Sequence, residues 1–465
     1  MLCNVCIDAL RHRKGWVRMD VVAGKPSITL AHHESVASLE SSARDACELC
    51  RPFWCQISED NRSRLRKFHA QWASSHTIPK SRVPGQRIEK LDGFVTFCII
   101  INHNDESDSK PLGMGLTLNL KFESTFNDAS PLRQKRIFSQ YALRTGAGKD
   151  VIKMKPFLSN NTGSEEALAK APAWIQTCTS THQACNVEMK AEPWFPTRLL
   201  DPSAVDGSPD TFRLIITSEM PPACDERYAT LSHCWGSAQF LQLKRSTISE
   251  LRKGVQVSAL PKTFREAIQV TRMLGLHLLW IDSLCIFQDR DDLSDWLVEA
   301  ALMHKVYAHS FCNISAAGAS DSSKGLFFER DQRISLNTEV RVCTQDLGLG
   351  VDYVECRIEN FGFWTDEVNN CPLNKRGWVL QERFISPRVL HFGRNQLFWE
   401  CRENTAAECY PESLPQVFQA TNGVRLKRLG RPVYGSNDLN AGLDAHDSMF
   451  YHPPPPNHVV NQNRS

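Results

Sequence analysis

The residues that could do chemistry by type and spacing begin at the N-terminus with cysteine. Cys3-x2-Cys6 is followed by His32 and His33, then by Cys47-x2-Cys50 with Cys55 nearby. Each pair can give two thiolates to one tetrahedral ion, so Cys3, Cys6, His32, Cys47 and Cys50 are candidate ligands of a structural zinc. The gap of about forty residues between the pairs exceeds that of common small zinc fingers. Buried free thiols, packing as small hydrophobes, are the alternative. Cys178, His182 and Cys185 form a second group, for which local packing is the expectation unless a fourth ligand comes from elsewhere.

Further along, Ser232, His233 and Cys234 close a short apolar run. A Cys/His nucleophile needs the imidazole beside the thiol, and adjacent residues on an extended chain point to opposite faces, so these two do not readily pair. His233, Asp282, Cys285 and Asp289 have suitable types for a catalytic metal but no paired spacing. Asp282 ends a second apolar run, where a carboxylate must find water, a donor or a ligand; capping the next turn is its simplest use. Arg376, Gln381, Glu382 and Arg383 are dense enough at i to i+4 spacing to form an ion-pair face on a helix. Trp235, Trp280, Trp296 and Trp378 read as core aromatics.

These side chains need elements to hold them. Tyr228 to Ser232 reads as a buried strand, with Gly236 allowing an immediate turn. Thr247 and Glu250 have capping-box spacing, and Gly254 is placed to stop a short helix. A second helix starts near Pro261, where Thr263 and Glu266 repeat the spacing and Phe264, Ala267, Ile268, Thr271 and Leu274 share one side. Residues 276–281 form a strand buried on both faces. Ser294 can cap a third helix carrying Trp296, Ala300, Met303 and Tyr307, and 311–316 is a last strand. Strands alternating with amphipathic helices predict an α/β unit: a parallel sheet flanked by helices, with sites at its C-terminal strand ends. Ser232 to Gly236 and Asp282 to Asp289 should lie close together there.

The order of YATLSHCWG (228–236), LPKTFREAIQVTRMLG (260–275), LLWIDSLCIFQD (278–289), DWLVEAALMHKVY (295–307), the 317–327 stretch and RGWVLQER (376–383) resembles the fungal heterokaryon-incompatibility (HET) domain. The resemblance covers about 228–383. It implies a self/non-self recognition or programmed-cell-death effector, acting with other incompatibility or cell-death proteins or as a homo-oligomer, on a fold distantly similar to the Toll/interleukin-receptor (TIR) domain. Some TIR domains cleave NAD with a helix glutamate. Glu299, three residues after Trp296, occupies a similar place, so the resemblance makes it the candidate catalytic residue of an NAD glycohydrolase, in a cleft lined by Ser232, His233, Asp282 and Glu382. A solvated helix glutamate is the plainer reading of Glu299.

The chain has 465 residues, enough for two or three domains. Lys+Arg of 54 against Asp+Glu of 52 leaves no basic excess to attract nucleic acid. No signal-like segment opens the chain, and its longest apolar run, 94–101, is far short of the roughly 20 residues that span a membrane. A cytoplasmic protein is therefore expected, and its seventeen cysteines should be reduced thiols or metal ligands. Residues 94–101 and the alternating 116–122 predict strands of a separate β-containing N-terminal region over 1–220. The HET domain follows at 228–383 and a hairpin extension at 384–410. The Pro-rich 411–465 is expected to be a disordered tail, where the family usually continues with a longer helical region.

Overall fold

The computed structural model describes residues 2–67 with short gaps, the segments 95–104, 115–124 and 138–145, most of 159–414, and Lys427. The expected tail over 411–465 lies almost wholly outside the described residues. In chain order the strands are β1 Val17–Val22, β2 Lys25–Ala31, β3 Val95–Asn104, β4 Gly115–Ser124, β5 Phe138–Thr145, β6 Arg198–Asp201, β7 Thr211–Ile216, β8 Tyr228–Ser232, β9 Val255–Gln256, β10 Leu278–Trp280, β11 Cys312–Ser315, β12 Thr338–Cys343, β13 Tyr353–Asn360, β14 Arg388–Phe392, β15 Leu397–Cys401 and β16 Thr405–Ala407. The α-helices are α1 Asn4–Ile7, α2 Val36–Arg44, α3 Cys50–Gln56, α4 Glu165–Leu168, α5 Lys170–Thr181, α6 Ile248–Lys253, α7 Lys262–Met273, α8 Asp282–Cys285, α9 Ser294–Ala308 and α10 Gly377–Ile385.

Two sheets form. The larger has the order β16-β15-β14-β11-β8-β10-β6-β7-β9. Its centre is parallel: β10 pairs with β8, β8 with β11, and β11 with β14. The flanks are antiparallel, so the sheet is mixed, with a parallel block of four strands in the spatial order 2-1-3-4. That is a doubly wound arrangement, with helices on the connections and a switch point between β8 and β11. All five residues of β8 are buried. Its core joins Leu231, Leu279, Ile314 and Leu390 of the sheet to Phe264, Ala267 and Ile268 of α7 and Tyr307 of α9.

The second sheet is antiparallel throughout, in the order β1-β2-β3-β4-β5-β13-β12. It does not stop at residue 220. β13 pairs with β5, so a 338–360 excursion between β11 and α10 completes a sheet begun by the first 145 residues. Conversely, β6, β7 and α5, which fall within 1–220, pack into the larger sheet and its core. The edges of β5 and β10 explain both exchanges, because an exposed strand edge is stabilised by accepting another strand. The hairpin expected after 383 is also part of the main sheet, since β14 is the fourth parallel strand.

Capping differs from expectation in detail. Thr263 and Glu266 form no capping box: Thr263 Oγ1 accepts from Gly325 N (3.1 Å) and Glu266 Oε2 from Leu326 N (2.5 Å) and Phe327 N (3.0 Å), so they hold the loop after β11. The N-terminus of α9 is held by Asp292, whose Oδ1 accepts from Ser294 N. Among the tryptophans, Trp280 is fully buried, Trp235 is half-buried, and Trp296 and Trp378 are exposed. No helix among the described residues is long and apolar enough to cross a membrane.

Gly236 has φ +72° where the chain turns after β8, and a Cβ there would collide with Cβ of Asp321. Gly236→Ala is expected to lower stability by about 1–3 kcal/mol, read from the denaturant midpoint. An unchanged midpoint would show that the turn tolerates a side chain.

Candidate functional site

The carboxyl ends of β8 and β11 face α10 across a buried polar row. In the strand register Thr230 stands opposite Asn313 and Ser232 opposite Ser315. Thr230 Oγ1 donates to Asn313 Oδ1 (3.2 Å), Asn313 Nδ2 donates to Ser232 Oγ (3.0 Å), and Ser232 Oγ donates to Glu382 Oε2 (2.5 Å). The row continues one strand over. His391 Nδ1 lies 3.0 Å from Ser315 Oγ and its Nε2 3.2 Å from Glu400 Oε2. Arg383 grips the same carboxylate at 2.7 and 3.1 Å and donates to Asn369 Oδ1. Glu382 and Arg383 thus hold α10 on the sheet by polar contacts, beside the apolar packing of Val379 with Cys234 and Ala317 and of Ile385 on the main core.

Electrostatics follow from burial. Burial raises Glu382 to about 6, against the pull of its Ser232 hydrogen bond. It lowers His391 to about 4 and pushes Tyr307, which shares hydrogen bonds with Ser232 and Glu382, well above the usual phenol range. Burial also pushes Glu400 up, but Arg383 and His391 outweigh it and hold that carboxylate well below its ordinary range.

Ser232, His233 and Asp282 do come together, as expected from the strand ends. His233 Nδ1 is 3.9 Å from Asp282 Oδ1, and burial keeps the ring neutral. Its Nε2 is buried without a hydrogen-bond partner. Asp282 accepts from Ser283 N (2.7 Å) and Trp235 Nε1 (2.9 Å), so it caps the turn at α8 and anchors the indole. Arg376 donates to His233 O. Glu299 sits in a different network. It is 4% exposed, so it is not a solvated glutamate, and its Oε1 lies 3.3 Å from Arg198, which also grips Asp295 at 2.7 Å. Its partners are Arg198 and Thr197 rather than Ser232, His233 or Asp282. A groove of about 540 Å³, lined by Asn161, Lys262, Lys324 and Phe327 among others, opens elsewhere; none of Ser232, His233, Asp282, Glu299 or Glu382 lines it.

The N-terminal ligand candidates converge. Cys3, Cys6, Cys47 and Cys50 form one group of potential metal ligands, and Cys6, His32, His33 and Cys50 form another that shares two sulfurs with it. Sulfur separations are 3.8 Å (Cys3 to Cys50), 3.7 Å (Cys6 to Cys47) and 3.5 Å (Cys6 to Cys50). Sulfurs bound tetrahedrally at 2.3 Å to one zinc lie about 3.8 Å apart, so the donor set and its size fit that ion. Cys6 Sγ is 3.0 Å from His32 Nε2, and Cys50 Sγ is 3.1 Å from His33 Nε2. Burial, with His33 beside it, lowers His32 to about 3 and leaves it in the neutral form that ligates. The backbone NH of Cys6 donates to Cys3 Sγ (3.5 Å) and that of Cys3 to Cys47 Sγ (3.3 Å), contacts that favour thiolate.

Sequence reasoning missed Asn313, Tyr307, His391 and Glu400. Their signal is a polar residue inside an apolar strand or helix face, which becomes informative once the neighbouring strand is known.

The fold and the site define a doubly wound α/β domain whose switch point is packed with a buried polar cluster under a helix. Residues 228–382 match the model of the family described as Heterokaryon incompatibility protein (HET), and the chain carries this fungal heterokaryon-incompatibility domain. No curated protein and no solved structure matches the chain.

Glu382 supplies a pH test. Its folded value of about 6 lies above the ordinary 4.5, so the folded state holds a proton that the unfolded chain has lost. Its contribution is full below pH 4.5 and is lost as pH rises through 6, about 2 kcal/mol in all. Glu382→Gln is expected to remove that part of the slope in denaturation measured from pH 4 to 7. An identical pH profile for both chains would contradict the buried, titrating carboxyl.

Proposed function

We propose that the protein is an incompatibility effector working as an interaction module, in which assembly with another protein chain triggers fungal cell death after self/non-self recognition. The observation carrying this is the orientation of α10. The helix buries Glu382 and Arg383 and turns Trp378, Leu380 and Phe384 outward, at 58%, 59% and 44% exposed. Neighbouring α9 exposes Leu297 at 62% with Trp296 and Val298. Six large apolar side chains exposed on two neighbouring helices are more than a solvated surface needs, and such patches mark docking faces. Full burial of such a side chain is worth about 1.5–3 kcal/mol, and these, already about half covered, would gain roughly half of that from a partner. The parallel block with its switch point supports the TIR-like reading of the fold.

The enzymatic alternative, NAD glycohydrolysis, has in its favour the gathering of Ser232, His233, Asp282 and Glu382 at the switch point, where doubly wound sheets take ligands. Against it stand the packing of α10 over that end and the Arg198 partner of Glu299, which removes the free negative charge needed to stabilise a cationic transition state. Expression of the unmutated chain, Trp378→Asp with Leu297→Asp, and Asp282→Ala in fungal cells separates the two. Viability should recover only in the double variant, with NAD constant throughout. NAD loss abolished by Asp282→Ala would overturn the interaction reading.

We further propose that Cys3, Cys6, Cys47 and Cys50, with His32 and His33 alongside, hold structural zinc that fastens α1 to the start of α3. When bound, the ion would crosslink segments more than forty residues apart in sequence. Purified protein should contain zinc that Cys47→Ser loses, with a lowered melting temperature. Zinc-free unmutated protein would remove the idea.

A further inference from the structure

The second cysteine and histidine group has acquired the ligand it lacked in sequence. Cys178 lies in the last turn of α5, His182 follows that helix, Cys185 closes the short turn Gln183–Cys185, and Cys401 ends β15. Their ligand atoms all fall within 4.8 Å of one another, and Cys401 Sγ is 3.3 Å from His182 Nδ1. Donors on one tetrahedral zinc, at about 2.3 Å for sulfur and 2.0–2.1 Å for nitrogen, lie about 3.5–3.8 Å apart. The three cysteines are buried and the histidine half-buried.

We propose that Cys178, His182, Cys185 and Cys401 bind one zinc ion in a closed Cys3His site that ties α5 to the end of β15. The surroundings are those of a metal site. Asn404 N donates to Cys401 Sγ (3.2 Å) and Arg388 Nε to Cys178 Sγ (3.2 Å), so two of the sulfurs already receive hydrogen bonds of the kind that orient metal-bound thiolates. Zinc with three thiolates and a neutral imidazole carries one net negative charge, and the fully buried guanidinium of Arg388 stands against it. Asn186 Nδ2 donates to the carbonyls of Cys178, Thr179 and His182, which folds the turn so that its ligands converge. Arg402 donates to Ala184 O (2.9 Å), and Ala184 N donates to Glu403 Oε1 (2.6 Å), joining the two ligand segments directly. Four protein ligands leave no open position, so the ion is structural. Binding releases the protons of those thiols that are not already ionised.

The test uses the full chain and counts zinc by elemental analysis. Cys401→Ser should hold one zinc fewer than the unmutated chain, Cys401→His should regain it, and Cys47→Ser should leave it in place. Equal zinc in the unmutated chain and Cys401→Ser would overturn the site. If Cys401→Ser does not fold, alkylation of the unmutated chain decides, mapped by mass spectrometry with and without a strong chelator. Cys178, Cys185 and Cys401 should become reactive together on chelation while Cys285 and Cys312 stay protected. Reactivity indifferent to chelator, or a disulfide among the three, would refute the site.

Discussion

The buried carboxylate of Glu400 and the guanidinium of Arg383 are the contact on which the larger sheet's arrangement turns. Both groups are shut away from water, and removing one partner from such a pair leaves an uncompensated charge worth about 3–5 kcal/mol. Their union fixes α10 over β14 and β15. It also places Glu382, the next residue, against Ser232 at the end of β8. Once the polar side of the helix is committed inward, Trp378, Leu380 and Phe384 have only solvent or a partner to face. The buried polar pair and the exposed apolar residues of α10 are thus two consequences of one constraint.

The parallel block was legible in the sequence because each of its elements is locally consistent. β8 and β10 are short apolar runs closed by turn residues, and α7 carries Phe264, Ala267 and Ile268 at helical spacing. The convergence of Ser232, His233 and Asp282 followed from the rule that strand ends gather at the switch point. What was not legible is everything that depends on long-range pairing. Nothing local tells β13 that its partner is β5, more than two hundred residues earlier. Nor does anything local tell Glu299 that Arg198 will neutralise it, or Cys178 that Cys401 will complete its group. Trp378 misled for a related reason: an aromatic at helical spacing is ordinarily core, and only the charge pair beneath α10 reverses the helix.

The interleaving of the two sheets gives the cysteine clusters a physical setting. The N-terminal cluster shares its core with β2, β12 and β13, so it lies under the sheet to which the 338–360 excursion contributes. The second cluster lies at the end of β15, where α5 meets the hairpin. Each joins segments brought together only by tertiary structure. Crosslinks of that kind are where an ion stabilises most, because the loop closed in the unfolded chain is long.

Side-chain labelling measures the outward face of α10 directly. Oxidative footprinting of Trp296 and Trp378 can be run on dilute purified protein and on the same chain inside fungal cells, with buried Trp280 as the internal reference. Strong labelling when dilute, with protection of both tryptophans in the cell, is the expected result. Equal labelling in the two settings would contradict a docking face there.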